Sequence, residues 1–278
     1  MLLSLDLISA LQEMFHYQFM QHAFEAGTII AIVSGIIGYF VVLRRSSFAA
    51  HALSDIGFAG AAGALLLYIN PIWGLLGFSS AAGVGIAVLG KRASHRDVEI
   101  GTILAFALGL GVLFISLYSL SNAGYADDAY SILFGEILGI SSASVVLIVE
   151  LSIIILAGVA LLYRPLLFAS LDEDVAEAKG IRVLLLGIIF MVLLAAAVSI
   201  AIQVVGVLLI FALMVTPAAT AIRIAKKPLY AIIISVLIAL IATWLGLLIA
   251  FYEPYPVSFF VTAIVFITYI SVRLIRRK

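Results

Sequence analysis

Two ionisable residues, His51 and Asp55, stand four positions apart in a stretch that is otherwise almost entirely apolar. Residues at this spacing share one face of an α-helix. An aspartate at the centre of a membrane helix costs about 2.5–3.5 kcal/mol, so some interaction must offset that cost. A divalent cation would do so, because imidazole and carboxylate are ligands of zinc, manganese and iron. We predict a transient metal site, completed in a homodimer by the same pair; the alternative is a His–Asp pair that only links two helices.

Two further polar features interrupt later apolar stretches. Glu150 could line a cation pathway, and it could equally contact a neighbouring helix. In the segment that contains Gln203, the pair Thr216–Pro217 predicts a helix break, because proline removes a backbone hydrogen bond and frees a carbonyl group. Such breaks occur along transport pathways, although a simple packing kink fits this sequence as well.

The 164–182 segment is the most clearly specified polar connection. Ser170 followed by Glu173 matches a capping box, and the acidic residues at 172–174 suit the positive N-terminal end of a helix. Gly180 suits the C-terminal end. We predict a short, capped cytoplasmic helix that docks a partner protein; a solvated surface helix is the alternative.

Composition indicates that these residues are positioned by membrane helices. The 278 residues are 65% hydrophobic and only 11% charged, with a mean hydropathy of +1.30, which is typical of a polytopic membrane protein. Because the chain has no cysteine, thiolate metal sites are excluded. The segment 85–91 resembles a phosphate loop, but Arg92 occupies the position of the magnesium-binding hydroxyl, so we expect no nucleotide site. We also expect no signal peptide.

Nine apolar stretches have the length of membrane spans, and the basic residues orient them. All fifteen Lys and Arg residues fall in alternate connections, from Arg44–Arg45 to the tail at 273–278. Cytoplasmic loops collect such residues, so the N-terminus is predicted outside and the C-terminus inside. The predicted spans lie at about 24–43, 49–69, 72–90, 100–120, 143–163, 183–201, 204–222, 228–250 and 256–273.

Two segments are predicted to remain outside the spans. Residues 1–22 mix apolar and polar side chains and favour an amphipathic helix at the outer surface, which precedes a single transmembrane domain at 23–278. Residues 129–141 are too short to cross the bilayer and contain Glu136. Counting them as a span would also place the later basic loops outside, so we predict a short, outer or half-buried element.

Four sequence blocks together resemble the membrane subunit of the manganese/zinc/iron class of ATP-binding-cassette importers. They are GIIGYFVVLRRSSFAAHALSDIGFAGAAGALLL at 35–67, LFGEILGIS at 133–141, DEDVAEAKGI at 172–181 and VVGVLLIFALMVTPAATA at 204–221. The resemblance covers most of the chain from about residue 20. It implies an all-α, homodimeric permease with the broad architecture of vitamin B12 and siderophore importers.

The resemblance also implies partners. Two cytoplasmic ATP-binding subunits would grip the helices at about 170–180, and an extracytoplasmic solute-binding protein would deliver the ion. The chain itself would not be an enzyme, would bind no permanent cofactor and would have no nucleic-acid partner. The residues implied in coupling to the ATPase are Ser170, Leu171, Asp172, Glu173, Asp174, Ala176, Glu177 and Gly180.

One departure from the family pattern concerns the metal ligands. The family usually places Asp first in the second span and His four residues later, whereas here His51 precedes Asp55. Both ligand types stay on one face, but each has moved by one turn, so neither the coordination geometry nor the choice among zinc, manganese and iron carries over.

The sequence therefore predicts inward transport of a divalent transition metal, and three alternatives stay open. The first is a permease of the same architecture for a siderophore or cobalamin chelate, which would not need the His–Asp pair. The second is a proton-coupled carrier that uses Asp55 and Glu150 as a relay. The third is a purely structural subunit of a membrane complex.

Overall fold

The computed structural model of the chain describes residues 14–89, 96–121, 135, 137–253 and 255–276. Within these ranges the secondary structure is entirely helical. The nine helices are α1 (Gln18–Leu43), α2 (Ser47–Leu66), α3 (Pro71–Leu89), α4 (Arg96–Ser121), α5 (Ser142–Leu171), α6 (Glu173–Ala178), α7 (Val183–Ile224), α8 (Pro228–Tyr252) and α9 (Val257–Ile275).

Eight helical segments in the described part of the chain are long and apolar enough to cross a membrane. Helix α7 supplies one of them, Val183–Val207, followed by a shorter apolar limb, Leu209–Ile224. The stretch predicted as a separate span at 204–222 corresponds to this shorter limb, which falls below the length of the other eight segments. The all-α, polytopic class is confirmed.

Helices α1 and α8 lie antiparallel. Gly27 of α1 lies against Thr243 of α8, and Gly35 lies against Val236. The residue numbers therefore increase along one helix and decrease along the other. The basic residues that follow α1 and those that precede α8 therefore lie at the same membrane face, as the charge pattern predicts.

Both ends of α7 lie at this same face. The Arg44 guanidinium stacks 5.3 Å from the centre of the Phe190 ring near the start of α7. Arg276, which follows α9, donates a hydrogen bond to the Arg223 carbonyl in the last turn of α7. The chain must therefore reverse between these ends, and it does so at Gly206, whose φ of 79° and ψ of 166° are non-helical.

The reversal of α7 at Gly206, called the α7 corner from here on, packs against the segment that the sequence predicted as a short outer element. Its described residues, Gly135 and 137–141, form a turn that leads into α5 instead of a span. Gly135 has a φ of +78° and lies so close to Val204–Gly206 that a Cβ atom would fall 2.5 Å from the Gly206 nitrogen. Glu136 lies outside the described residues.

Helix boundaries differ from the predictions at two places. Helix α1 begins at Gln18, so residues 18–22 belong to the first span and not to a separate surface helix, while residues 1–13 lie outside the described part. Helix α5 continues through Pro165 to Leu171, eight residues beyond the predicted span. Proline there removes one backbone hydrogen bond without ending the helix.

Small residues set the spacing of α2, the helix that positions the candidate site. Helix α2 packs on α3, α4 and α7. A Cβ atom on Gly74 of α3 would lie 2.0 Å from the Gly60 carbonyl oxygen of α2, so the two backbones are in direct contact. Such close approach is the usual function of glycine in membrane helices.

Candidate metal site

His51 and Asp55 occupy the first turns of α2 and face the same side. They lie about 6 and 12 Å along the helix axis from its start, at ~1.5 Å per residue. The His51 Nε2 atom is 3.5 Å from the Asp55 Oδ2 atom. The Ser54 hydroxyl donates to the His51 carbonyl at 2.7 Å.

The separation of the two ligand atoms suits a shared cation. A tetrahedral ion about 2.0–2.1 Å from an imidazole nitrogen and 2.0–2.2 Å from a carboxylate oxygen places those atoms about 3.3–3.5 Å apart. The observed 3.5 Å falls at this spacing and beyond the usual length of an N–H···O bond. The pair is therefore spaced for two ligands of one ion.

The pair is accessible from the surface of the single chain. The His51 side chain is 45% exposed and that of Asp55 is 14% exposed. The described residues contain no group of three or more His, Asp or Glu side chains that could hold a metal. The described part of one chain thus offers two ligands at a partly open surface.

The imidazole ring is not held as in a tight metal site. Its Nδ1 atom is buried and has no hydrogen-bond partner among the described residues. Histidines of tight metal sites usually donate the second ring N–H to an acceptor, which fixes the tautomer and raises affinity. Among the described residues, the His51 ring has no such acceptor at its second nitrogen.

Phe211 of the second α7 limb, which the sequence analysis did not single out, lies beside the imidazole ring of His51. The centre of its ring lies 5.2 Å from that of His51, at an interplanar angle of 59°. Because the two residues are 160 positions apart in the chain, they leave no local spacing signal. Only the reversal of α7 at Gly206 brings the limb beside α2.

Glu150 lies apart from this site. It is exposed on α5, and α5 packs mainly on α1 and α7. Glu150 belongs to no three-residue group of metal-binding type in the described chain. Any part that Glu150 plays in a cation pathway stays a prediction, and it would require a neighbouring chain.

The predicted helix break at Thr216–Pro217 is displaced. The limb Leu209–Ile224 stays helical through Pro217, and the non-helical residue of α7 is Gly206. The Thr220 hydroxyl donates to the Thr216 carbonyl at 2.8 Å, which adds a local side-chain bond next to the proline. The physical reason is conformational: proline fits a helical φ, whereas the backbone angles at the corner are accessible to glycine only.

The short cytoplasmic helix is present with a different N-cap. Ser170 still belongs to α5, where its hydroxyl donates to the Leu166 carbonyl, so the predicted capping box does not form. Asp172 has an extended backbone, and its Oδ1 atom accepts from the Val175 amide at 3.0 Å. The cap therefore lies two residues later, where α5 has ended.

The C-terminal end of this helix follows the prediction. Gly180 has a φ of +82°, and its amide donates to the Glu177 carbonyl at 2.9 Å. The Ile181 amide donates to the Ala176 carbonyl at 3.0 Å. These two bonds form a Schellman motif, which explains why a glycine is needed here.

The other residues predicted to couple to the ATPase lie on and beside this helix. Leu171 ends α5 and is 68% exposed. Glu173, Asp174 and Glu177 are exposed, whereas Ala176 is fully buried. The acidic side chains thus face outward, and the alanine anchors α6 to the bundle.

Comparisons with known proteins agree with this fold. The profile of the ABC 3 transport family matches residues 16–276. The manganese transport system membrane protein MntC of Listeria monocytogenes is 34% identical over 218 residues, covering 78% of this chain and 76% of the relative. The manganese import system permease protein ScaB of Streptococcus parasanguinis is 33% identical over 247 residues, covering 88% and 85%.

A solved structure supports the same conclusion. PsaBC from Streptococcus pneumoniae in complex with Fab superposes with a TM-score of 0.85 at 26% identity, covering 96% of this chain and 95% of the matched chain. MntC and ScaB are named as the membrane protein and the permease protein of manganese transport and import systems. The chain therefore belongs to the ABC 3 transport family, as a multi-pass permease of the cytoplasmic membrane.

Proposed function

We propose that this permease moves a divalent transition metal ion into the cytoplasm, with manganese, zinc or iron as the candidate ions. The observation that carries the proposal is the 3.5 Å His51–Asp55 pair on a membrane helix, open at the chain surface. The relatives named for manganese transport and import make Mn²⁺ the first ion to test. The ion is the substrate, and no permanent cofactor is part of the proposal.

The proposed assembly is a homodimer with two cytoplasmic ATP-binding subunits. Its support is the incomplete ligand set: structural and catalytic zinc sites use three or four protein ligands, whereas the described residues of this chain bring two together. A second copy would bring its own His51 and Asp55 to the same ion. Helix α6, capped at both ends and anchored by Ala176, is the proposed contact with the ATP-binding subunit, which would carry out ATP hydrolysis.

The proposed transport step is weak capture followed by release. A solute-binding protein would deliver the ion at the outer face, and the His–Asp pair would replace part of its hydration shell. Conduction requires binding weak enough for the ion to leave, and the unanchored imidazole provides such binding. Rigid-body movement of the helices, driven by nucleotide in the partner, would expose the pair to each side in turn.

The test is ATP-dependent Mn²⁺ uptake by the complete transporter in proteoliposomes. We expect H51A and D55A each to reduce uptake at low Mn²⁺ by about tenfold or more, which corresponds to about 1.4 kcal/mol or more of lost ion binding. The control is T268A on α9, since the Thr268 hydroxyl donates to the Ile264 carbonyl of its own helix. Zinc and iron, compared in the same assay, identify the preferred ion.

The double variant H51D/D55H sharpens this test. It restores the order that the family usually shows and keeps both ligand types on one helix face. We expect it to retain more uptake than either alanine variant. Wild-type uptake by both H51A and D55A would refute the proposed site and would favour a permease for a metal chelate.

A further inference from the structure

The ring of Phe211 lies beside the imidazole ring of His51, one of the two members of the His–Asp pair. The ring centres of Phe211 and His51 are 5.2 Å apart. Phe211 is itself 37% exposed, so the two side chains form neighbouring parts of one surface. An ion that approaches His51 from this surface therefore passes the aromatic ring.

Phe211 is carried by a limb with a defined break at one end and a defined attachment at the other. Gly206, five residues earlier, interrupts the helix with backbone angles outside the helical region. The last turn is held by Arg276, whose Nη1 atom donates to the Arg223 carbonyl and, at 2.9 Å, to the Ile224 carbonyl. Movements between rigid elements concentrate at such element ends, so Gly206 is the position at which a change of angle between the limb and the rest of α7 would leave both parts helical.

We propose that Phe211 is a movable cover over the His51–Asp55 pair, which controls how fast an ion enters and leaves. This inference rests on the proposed function. A phenyl ring has no lone pair to offer a metal, so Phe211 is a positioning residue that acts through access and not a ligand. Removing the ring leaves both ligand atoms in place, so entry and exit should become faster together while the equilibrium affinity changes little.

The experiment compares exchange kinetics in the complete transporter complex, reconstituted in nanodiscs and loaded with Mn²⁺. Stopped-flow mixing with a chelator gives the release rate, and an equilibrium titration gives the Kd. The H51A variant supplies the background from other Mn²⁺ sites. We expect F211A to raise the release rate by about fivefold or more and to change the Kd by less than about threefold, because the association rate rises as well.

Two variants keep the result interpretable. F211L retains apolar bulk without the ring, and we expect an intermediate release rate, so the test survives if F211A folds poorly. F266L makes the same change on α9, where Phe266 is 58% exposed, and we expect wild-type exchange.

The possible outcomes separate this inference from the proposed function. Wild-type release rates in F211A and F211L would refute the cover. An increased release rate with a proportionate loss of affinity would also refute it, since Phe211 would then stabilise the bound ion. If H51A and D55A bind Mn²⁺ like the wild type, the proposed function itself fails.

Discussion

The backbone contact between α2 and α3 gives the sharpest stability prediction. A Cβ atom on Gly74 would lie 2.0 Å from the Gly60 carbonyl oxygen and 2.8 Å from the Ala64 Cβ atom. Gly77 lies one turn further along α3, and a Cβ atom there would meet nothing within 4 Å. The substitutions G74A and G77A are therefore chemically identical, on one helix, and differ only in what the new methyl group meets.

The magnitude follows from this difference. Each substitution gains up to about 1 kcal/mol of helix propensity, so this contribution cancels between the two variants. Only G74A must also push the helices apart, and overpacking of this kind costs about 1–3 kcal/mol. At roughly 2–4 °C per kcal/mol for a chain of this size, we expect G74A to melt about 2–12 °C below G77A.

The assay is thermal unfolding of the detergent-solubilised permease, with all variants scanned at one rate. Because α2 also carries His51 and Asp55, we expect Mn²⁺ uptake to fall in G74A and to persist in G77A. Equal melting temperatures for the two variants would refute the close backbone contact and the α2–α3 packing deduced from it.

Two further predictions concern the corner of α7 and the cap of α6. G206A forces a Cβ atom onto a backbone conformation that costs about 1–3 kcal/mol for residues other than glycine. We therefore expect G206A to have lower thermal stability and lower Mn²⁺ uptake than G85A, whose position is open. Equal stability and uptake in the two variants would contradict the proposed need for glycine at the α7 corner. D172A removes the only side-chain cap of α6 and should destabilise that helix by about 0.5–2 kcal/mol, which we expect to weaken metal-stimulated ATP hydrolysis by the assembled transporter. We expect S170A to leave this hydrolysis unchanged. A loss of hydrolysis in S170A but not in D172A would show that the Ser170–Glu173 capping box predicted from the sequence is the functional one.

Sequence reasoning succeeded where the bilayer or local chemistry imposes the answer. Long apolar stretches separated by basic loops identified the spans and the shared face of the loops, because a membrane helix must satisfy its own backbone and lysine and arginine stay on the cytoplasmic side. Gly180 was likewise placed correctly, since a Schellman motif requires a left-handed residue at one position.

Local reasoning failed where a neighbouring element decided the result. Ser170 resembles an N-cap in isolation, but α5 continues over Pro165 and absorbs it, which leaves Asp172 to cap α6. Thr216–Pro217 is the stronger local signal for a break, yet Pro217 is accommodated within the limb, and the reversal occurs at Gly206 beside Gly135. The first outcome depends on how far the preceding helix extends, and the second on the contact between Gly206 and Gly135, which lie far apart in the chain.

The sequence by itself determined that this chain is a helical membrane protein with basic cytoplasmic loops and with His51 and Asp55 on one helix face. These properties follow from composition and from the 3.6-residue period, which need no knowledge of distant contacts. Only the tertiary structure placed Phe211 beside His51 and left Glu150 away from that pair. Both results arise from the direction of α7 after Gly206 and from the packing of α2 and α5 on different neighbours, which are contacts between residues far apart in the chain.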